Sequence, residues 1–328
     1  MRITNSAIAR NYTNRLNASL GTLNKFSERA ITSRRFDTFA EDTAGAVRAM
    51  KVRQSLARLE NSYDNLKTAK GKISAAEDAL KQTSELYQSF NERFLVGING
   101  TTASNREDIA VELIKIRDQM VSMANSQFAE TYLFGGTQGD SCPWDYQNGT
   151  LTYRGHDVMT TLNPDDPAFD QAIYDQLKEA AYVDIGLGLD FNGDAVKESS
   201  AFKITFDGMA IFGTGDDNII LQMDKMIDML DDKPFDAAAA GIERDKLQDL
   251  NSNISAQITK IGADYNYIAF SLDRLDGERI NLLERQDAIE FMDPEVAIMN
   301  MKLQEYAYNA ALQMGNRILQ PTVFDYLR

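Results

Sequence analysis

The chain has 328 residues, a net charge of −15, one cysteine and one histidine. A lone Cys142 excludes an internal disulfide, a lone His156 excludes a multi-histidine metal site, and the acidic excess argues against nucleic acid as a partner. Hydrophobic residues make up 43% and charged residues 25%, as in folded chains, and no apolar run reaches the ~18 residues of a membrane span, so no membrane insertion is expected.

The charge is unevenly placed. Residues 1–60 hold 11 Lys+Arg against 5 Asp+Glu, and the remainder holds 23 against 44. A basic arm on an acidic body suits contact with acidic surfaces of its own kind. The opening segment MRITNSAIARNYTNRL has no apolar core, so it is not a cleavable export signal.

Residues 1–32 predict a helix with a weak stripe of Ile8, Tyr12, Leu16, Leu20, Leu23 and Ile31. Thr32–Asp42 breaks it, and Asp42 or Thr43 can cap the next helix, about 44–95. That helix organises the chain. Val52, Leu59, Leu66, Ile73, Leu80, Tyr87 and Phe94 recur every seventh residue, which keeps one stripe facing a partner helix. The positions four residues on (Leu56, Tyr63, Lys70, Glu77, Ser84, Asn91, Ile98) are apolar only at their ends. After Gly97–Gly100, the S-x-x-E pattern of Ser104 and Glu107 reads as a capping box opening a second helix. Its stripe is Ile109, Leu113, Ile116, Met120 and Met123. Tyr132-Leu-Phe-Gly-Gly136 reads as a helix end.

Residues 138–215 read as a β-rich insertion. Asn148-Gly149 and Asp207-Gly208 are hairpin signals, and Pro164 and Pro167 mark a loop. A short helix over Asp217–Leu230 follows. From Leu247 the heptad returns through Ile254, Ile258, Ile261, Tyr265, Ile268, Leu272 and Leu275 to Ile289. Asp293-Pro294-Glu295 is a cap, a first-turn proline and an acidic first turn. It starts a helix carrying Leu303, Tyr306, Leu312, Met314 and Ile318, with an apolar tip at Val323–Leu327. The expected fold class is α+β and elongated: a long antiparallel coiled-coil bundle from both termini, with a β-rich domain inserted in the middle. The seam residues are Leu59, Leu66, Ile73 and Leu80 on one side and Ile261, Ile268, Leu272 and Leu275 on the other.

No catalytic, cofactor-binding or metal-binding constellation stands out, so the chain does not read as an enzyme and no cofactor is expected. His156 reads as a loop or packing residue and Cys142 as a partly buried structural thiol. Asp190-Phe-Asn192-Gly-Asp194 begins like a calcium loop, but Ala195 and Ala201 stand where its glycine and glutamate belong. Gly186-x-Gly188 and Gly213-x-Gly215 lack the rest of a nucleotide fingerprint. A membrane-inserting translocator would need long apolar helices that the sequence does not have.

Several segments together resemble a known family. They are Asn14-Arg-Leu-Asn17, Tyr63-Asp-Asn-Leu-Lys-Thr-Ala69, Ala76-Glu-Asp-Ala-Leu80, Arg106-Glu-Asp-Ile-Ala110, Ala124-Asn125 and Ile318-Leu-Gln-Pro-Thr-Val-Phe-Asp-Tyr-Leu327. They are similar to the bacterial flagellins and the hook-associated protein 3 family. Tyr132-Leu-Phe-Gly-Gly-Thr137 looks like the hook-associated branch rather than flagellin. The stretch Thr32–Thr43 lacks the glycine and prolines usual in the family. The resemblance implies a structural adaptor of the bacterial flagellum, exported through the flagellar type III apparatus and placed at the hook–filament junction. It would lie outside the cell. Its implied partners are hook-associated protein 1, flagellin, copies of itself in a ring-like layer and a flagellar export chaperone; the alternative is a flagellin. It also implies a division into an N-terminal polymerisation arm (1–40), a rod in two parts (41–137 and 216–292), the insertion (138–215) and a C-terminal polymerisation helix (293–328). The assembly residues are then Leu16, Leu20, Leu23, Leu303, Tyr306, Leu312, Ile318 and Leu327.

Overall fold

The computed structural model describes residues 5–99, 103–147, 149–186, 190–192, 195–196, 201–231 and 235–318. Long helices come from both ends of the chain, and small sheets lie between them in sequence, as the expected α+β class requires. The chain divides into two compact units, residues 1–60 with 277–328, and residues 61–276.

The first unit holds α1 (Asn5–Thr32), the start of α2 (Thr43–Ile98), the end of α7 (Ala237–Glu290) and α8 (Pro294–Ile318). Asp42 caps α2 by accepting from the Gly45 N–H at 2.8 Å, and Asp293 caps α8 by accepting from Glu295 N–H at 2.8 Å. The second unit holds the rest of α2 and α7, with α3 (Ala103–Ala124) and α6 (Ile219–Asp231) packed together. Because α3 begins at Ala103, Ser104 lies within its first turn rather than ahead of it.

In this unit α2 and α7 run antiparallel. Lys70 sits over the Tyr265 ring at 4.9 Å, Ser84 Oγ reaches Asn251 Oδ1 at 3.4 Å, and Arg244 Nε donates to Asn91 Oδ1 at 2.9 Å. Advancing two heptads and then one along α2 matches the same retreat along α7. That register sets Leu66 level with Ile268, Ile73 with Ile261 and Leu80 with Ile254, and all six are buried. Leu275 is buried as well, while Leu272 is half-buried. In the first unit's share of α2, Leu59 is also buried.

The second buried row of α2 lies three residues on from the first, not four: Ala69, Ala76, Thr83, Phe90 and Gly97. Its small members hid it from a search for large apolar side chains, yet they let neighbours close in. A Cβ on Gly97 would lie 3.2 Å from Leu230 of α6. Thr83 is buried without cost because its hydroxyl donates to Ala79 O at 2.8 Å.

The sheets are small. β1 (Gln127–Phe128) and β2 (Thr131–Tyr132) pair antiparallel. β3 (Trp144–Gln147), β4 (Thr150–Tyr153) and β5 (His156–Asp157) form an antiparallel meander. After α4 (Gln171–Leu177), β6 (Tyr182–Asp184) pairs with β9 (Ala201–Lys203), and β7 (Phe191–Asn192) pairs with β8 (Ala195–Val196). Residues 148 and 149 join β3 to β4 as a hairpin; Asn148 lies outside the described residues, and Gly149 has φ +81°.

Three expectations fail here for local reasons. Asp207-Gly208 opens a helix, α5 (Gly208–Phe212), instead of turning a hairpin, because the Asp207 carboxylate accepts from the Met209 N–H at 2.9 Å. Gly208 is needed for closeness: a Cβ there would sit 2.5 Å from Phe134 O. Tyr132–Gly136 is not a helix end, since α3 already stops at Ala124. Leu133 and Phe134 are instead the plug of a small core, with Phe134 edge-on to Phe212 at 5.5 Å and Trp144 edge-on to Phe212 at 5.7 Å. Cys142 is exposed rather than partly buried. His156 is half-buried on β5, and Asp194 lies outside the described residues.

Candidate assembly surface

The surface begins with α1 and α8. Tyr12 Oη donates to Ala311 O at 2.7 Å, and Met292 N–H donates to Ser33 O at 2.9 Å, so the two helices lie antiparallel. Gly315 is required under Tyr12, since a Cβ would lie 2.7 Å from the ring. The register brings Leu16–Leu23 alongside the Leu303–Leu312 stretch.

Between α1 and α2 a strap, residues 33–42, holds the corner. Arg35 N–H donates to Glu290 O at 2.8 Å, and Arg34 bridges Phe291. Glu290 is buried and takes Arg53 as a two-pronged partner, one prong at 2.6 Å. That contact holds its carboxyl below the usual range, against the opposing effect of burial. Glu41 accepts from Lys25 at 2.8 Å and Arg29 at 3.1 Å. The Lys25 contact leads, against burial and with help from Arg29, in lowering the Glu41 carboxyl to about 2. The strap follows a defined path without the family's glycine: Ser33 takes the left-handed turn at φ +55°.

The apolar face of this unit is uncovered. Tyr306 is 71% exposed, Leu303 58% and Leu312 41%, while Leu20 is exposed and Leu16 and Leu23 are half-buried. Ile318 ends α8, and Leu327 lies outside the described residues. Sequence reasoning passed over Val296, Ile298 and Met299, which are exposed, and named Met314 and Ile31 without singling them out; they are 64% and 81% exposed. The signal was available: α8 carries apolar residues around its whole circumference, a pattern that belongs to a helix buried on every side. In the single chain that burial is missing.

Among the described residues no group of three or more His, Cys, Asp and Glu side chains is placed to hold a metal, and no helix is long and apolar enough to cross a membrane. The surface offers packing and no reactive centre.

Residues 3–139 match the bacterial flagellin N-terminal helical region. The chain is related to the flagellins. It is 29% identical over 144 residues to flagellar hook-associated protein 3 of Salmonella typhimurium, covering 43% of this chain and 44% of that one. Against flagellar hook-associated protein 3 of Escherichia coli it is 27% identical over 128 residues, 38% of this chain and 40% of that one. The chain thus spans less than half the length of these relatives. A flagellin of Bacillus subtilis is 23% identical over 326 residues, 97% of this chain and 95% of that one. Among solved structures, a putative flagellar hook-associated protein from Vibrio parahaemolyticus matches with a TM-score of 0.60 at 18% identity, over 76% of this chain and all of that one. FlgL from Bacillus cereus matches with a TM-score of 0.53 at 18% identity, over 72% and 99%. At these identities the structural likeness is one of fold.

Proposed function

We propose that the chain is a structural component of the bacterial flagellum, an adaptor at the hook–filament junction. The observation that carries this reading is the uncovered apolar side of α8, with Leu303 and Tyr306 outward on a helix already paired with α1. Burying such a side chain is worth about 1.5–3 kcal/mol gross, so the surface is completed by neighbours in an assembly. The hook-associated relatives support the choice of junction. Export follows the flagellar type III route, with a dedicated chaperone covering the helices in transit. The partners are hook-associated protein 1 on one side, flagellin on the other, and copies of the chain in a ring-like layer. Leu16, Leu20, Leu23, Leu312, Ile318 and Leu327 share the assembly role, and the working parts are the arm over 1–40 and the helix over 293–328. The chain works by packing, without catalysis.

Deleting residues 1–30 or 300–328 tests this. Incorporation into flagella should be abolished while the middle stays folded; truncated chains that still support filament growth would overturn the reading. A second reading, filament subunit, is favoured by the near full-length match to a flagellin. Seeding separates the two: a filament subunit extends into long filaments, a junction protein stops at a short layer.

A further inference from the structure

A cleft of about 390 Å³ in the second unit lies away from the assembly surface and is independent of the reading above. Its floor is apolar: Phe202, Phe206, Ile211 and Ile261 are buried there. Phe202 stacks on Tyr267 at 6.1 Å and 22° between planes, which holds the Tyr267 ring in place while 43% of that residue remains exposed. Around this ring stand Tyr182, Lys203, Gln257, Lys260 and Asp264.

Those five rim side chains are the unusual feature. Every one carries strong hydrogen-bonding groups, and none makes a side-chain hydrogen bond to another described residue. Asp264 is half-buried, and burial pushes its carboxyl up against the opposing pull of Lys260. The rim therefore offers hydroxyl, ammonium and amide donors and carboxylate and carbonyl acceptors around an aromatic face. Two lysines face Asp264 and Asp207, so no net charge selects an ion. Asp207 is occupied in capping α5.

A ligand that fits must be uncharged, carry donors and acceptors around its edge, and present a flat C–H face to a ring. We infer that this cleft binds a neutral saccharide, stacked on Tyr267 and hydrogen-bonded by Lys203, Gln257, Lys260 and Asp264. An organic ammonium would use the same rings but would meet two lysines. An anion would meet Asp264.

The test is saturation-transfer NMR on the full chain with maltose, lactose and N,N′-diacetylchitobiose at millimolar concentration, and with choline and inorganic phosphate as charged comparators. At least one disaccharide should receive saturation, and the comparators less. Tyr267→Ala should weaken that binding by about five- to tenfold, while Tyr267→Phe, which keeps the ring, should retain it. Asp264→Ala should also weaken it. Circular dichroism confirms that each variant is folded, and Tyr267→Phe guards against loss by misfolding. No transfer to any of the three disaccharides, a stronger response from choline or phosphate, or binding that survives Tyr267→Ala would overturn the inference.

Discussion

Two stretches of this chain use the same heptad spacing and end differently. In residues 61–276 the seam of Leu66, Ile73 and Leu80 is closed by Ile254, Ile261 and Ile268 of the same molecule. In the unit formed by residues 1–60 and 277–328, α8 pairs with α1 and still leaves Leu303, Tyr306 and Met314 in water. Periodicity alone announces that a helix needs a neighbour. The counting of covered faces decides whether that neighbour belongs to the same chain.

The contrast can be broken or sharpened. The largest effect is expected at the closed seam. Ile261→Ala should cost about 2–5 kcal/mol in urea unfolding followed by the single tryptophan, Trp144, in the same unit. Arg53→Ala comes next. It leaves the buried Glu290 carboxylate without its partner and should cost about 1–3 kcal/mol, read by circular dichroism.

A smaller effect follows from acid. The Glu41 carboxyl is lowered from 4.5 to about 2, so the folded form holds its proton less tightly than the unfolded form. Its contribution is present in full above the unfolded value of 4.5 and is lost as pH falls from there toward 2. Hydrogen exchange at residues 33–42, corrected for intrinsic rates, should rise across that window. In Glu41→Gln the rise should be reduced to the share due to Glu290, which is lowered in the same sense. The smallest effect on stability is expected at the open face. Leu303→Ala should stay within about 0.5 kcal/mol for the isolated chain, yet Leu303→Ser with Tyr306→Ser should abolish assembly measured by sedimentation. If Leu303→Ala destabilised the isolated chain as much as Ile261→Ala, the face would be covered within one molecule and the contrast would fall.

Much of this was legible before any coordinates. The helices of residues 5–32, 43–98 and 294–318 follow from apolar spacing and from caps such as Asp42 and Asp293, whose chemistry is local. The second row of α2 was not, because Ala69, Ala76 and Thr83 do not look like a seam until a neighbour is seen to approach them. Asp207-Gly208 suits a hairpin turn and a helix start equally well, and only the crowding by Phe134, Tyr153 and Trp144 settles which. At the open face the three leucines of α1 and the residues of α8 were readable as apolar. Ile31 and Met299 were harder, because exposure is a property of the packed molecule.

The bond from Tyr12 to Ala311 joins groups 299 positions apart. At roughly 5–20 residues per second of synthesis, α1 leaves the ribosome about 15–60 s before the strand of chain it must lie against. The unit between them is continuous in sequence and can finish first. During that interval the earliest-made helix is an orphan, and whatever escorts it must bind before the molecule is complete.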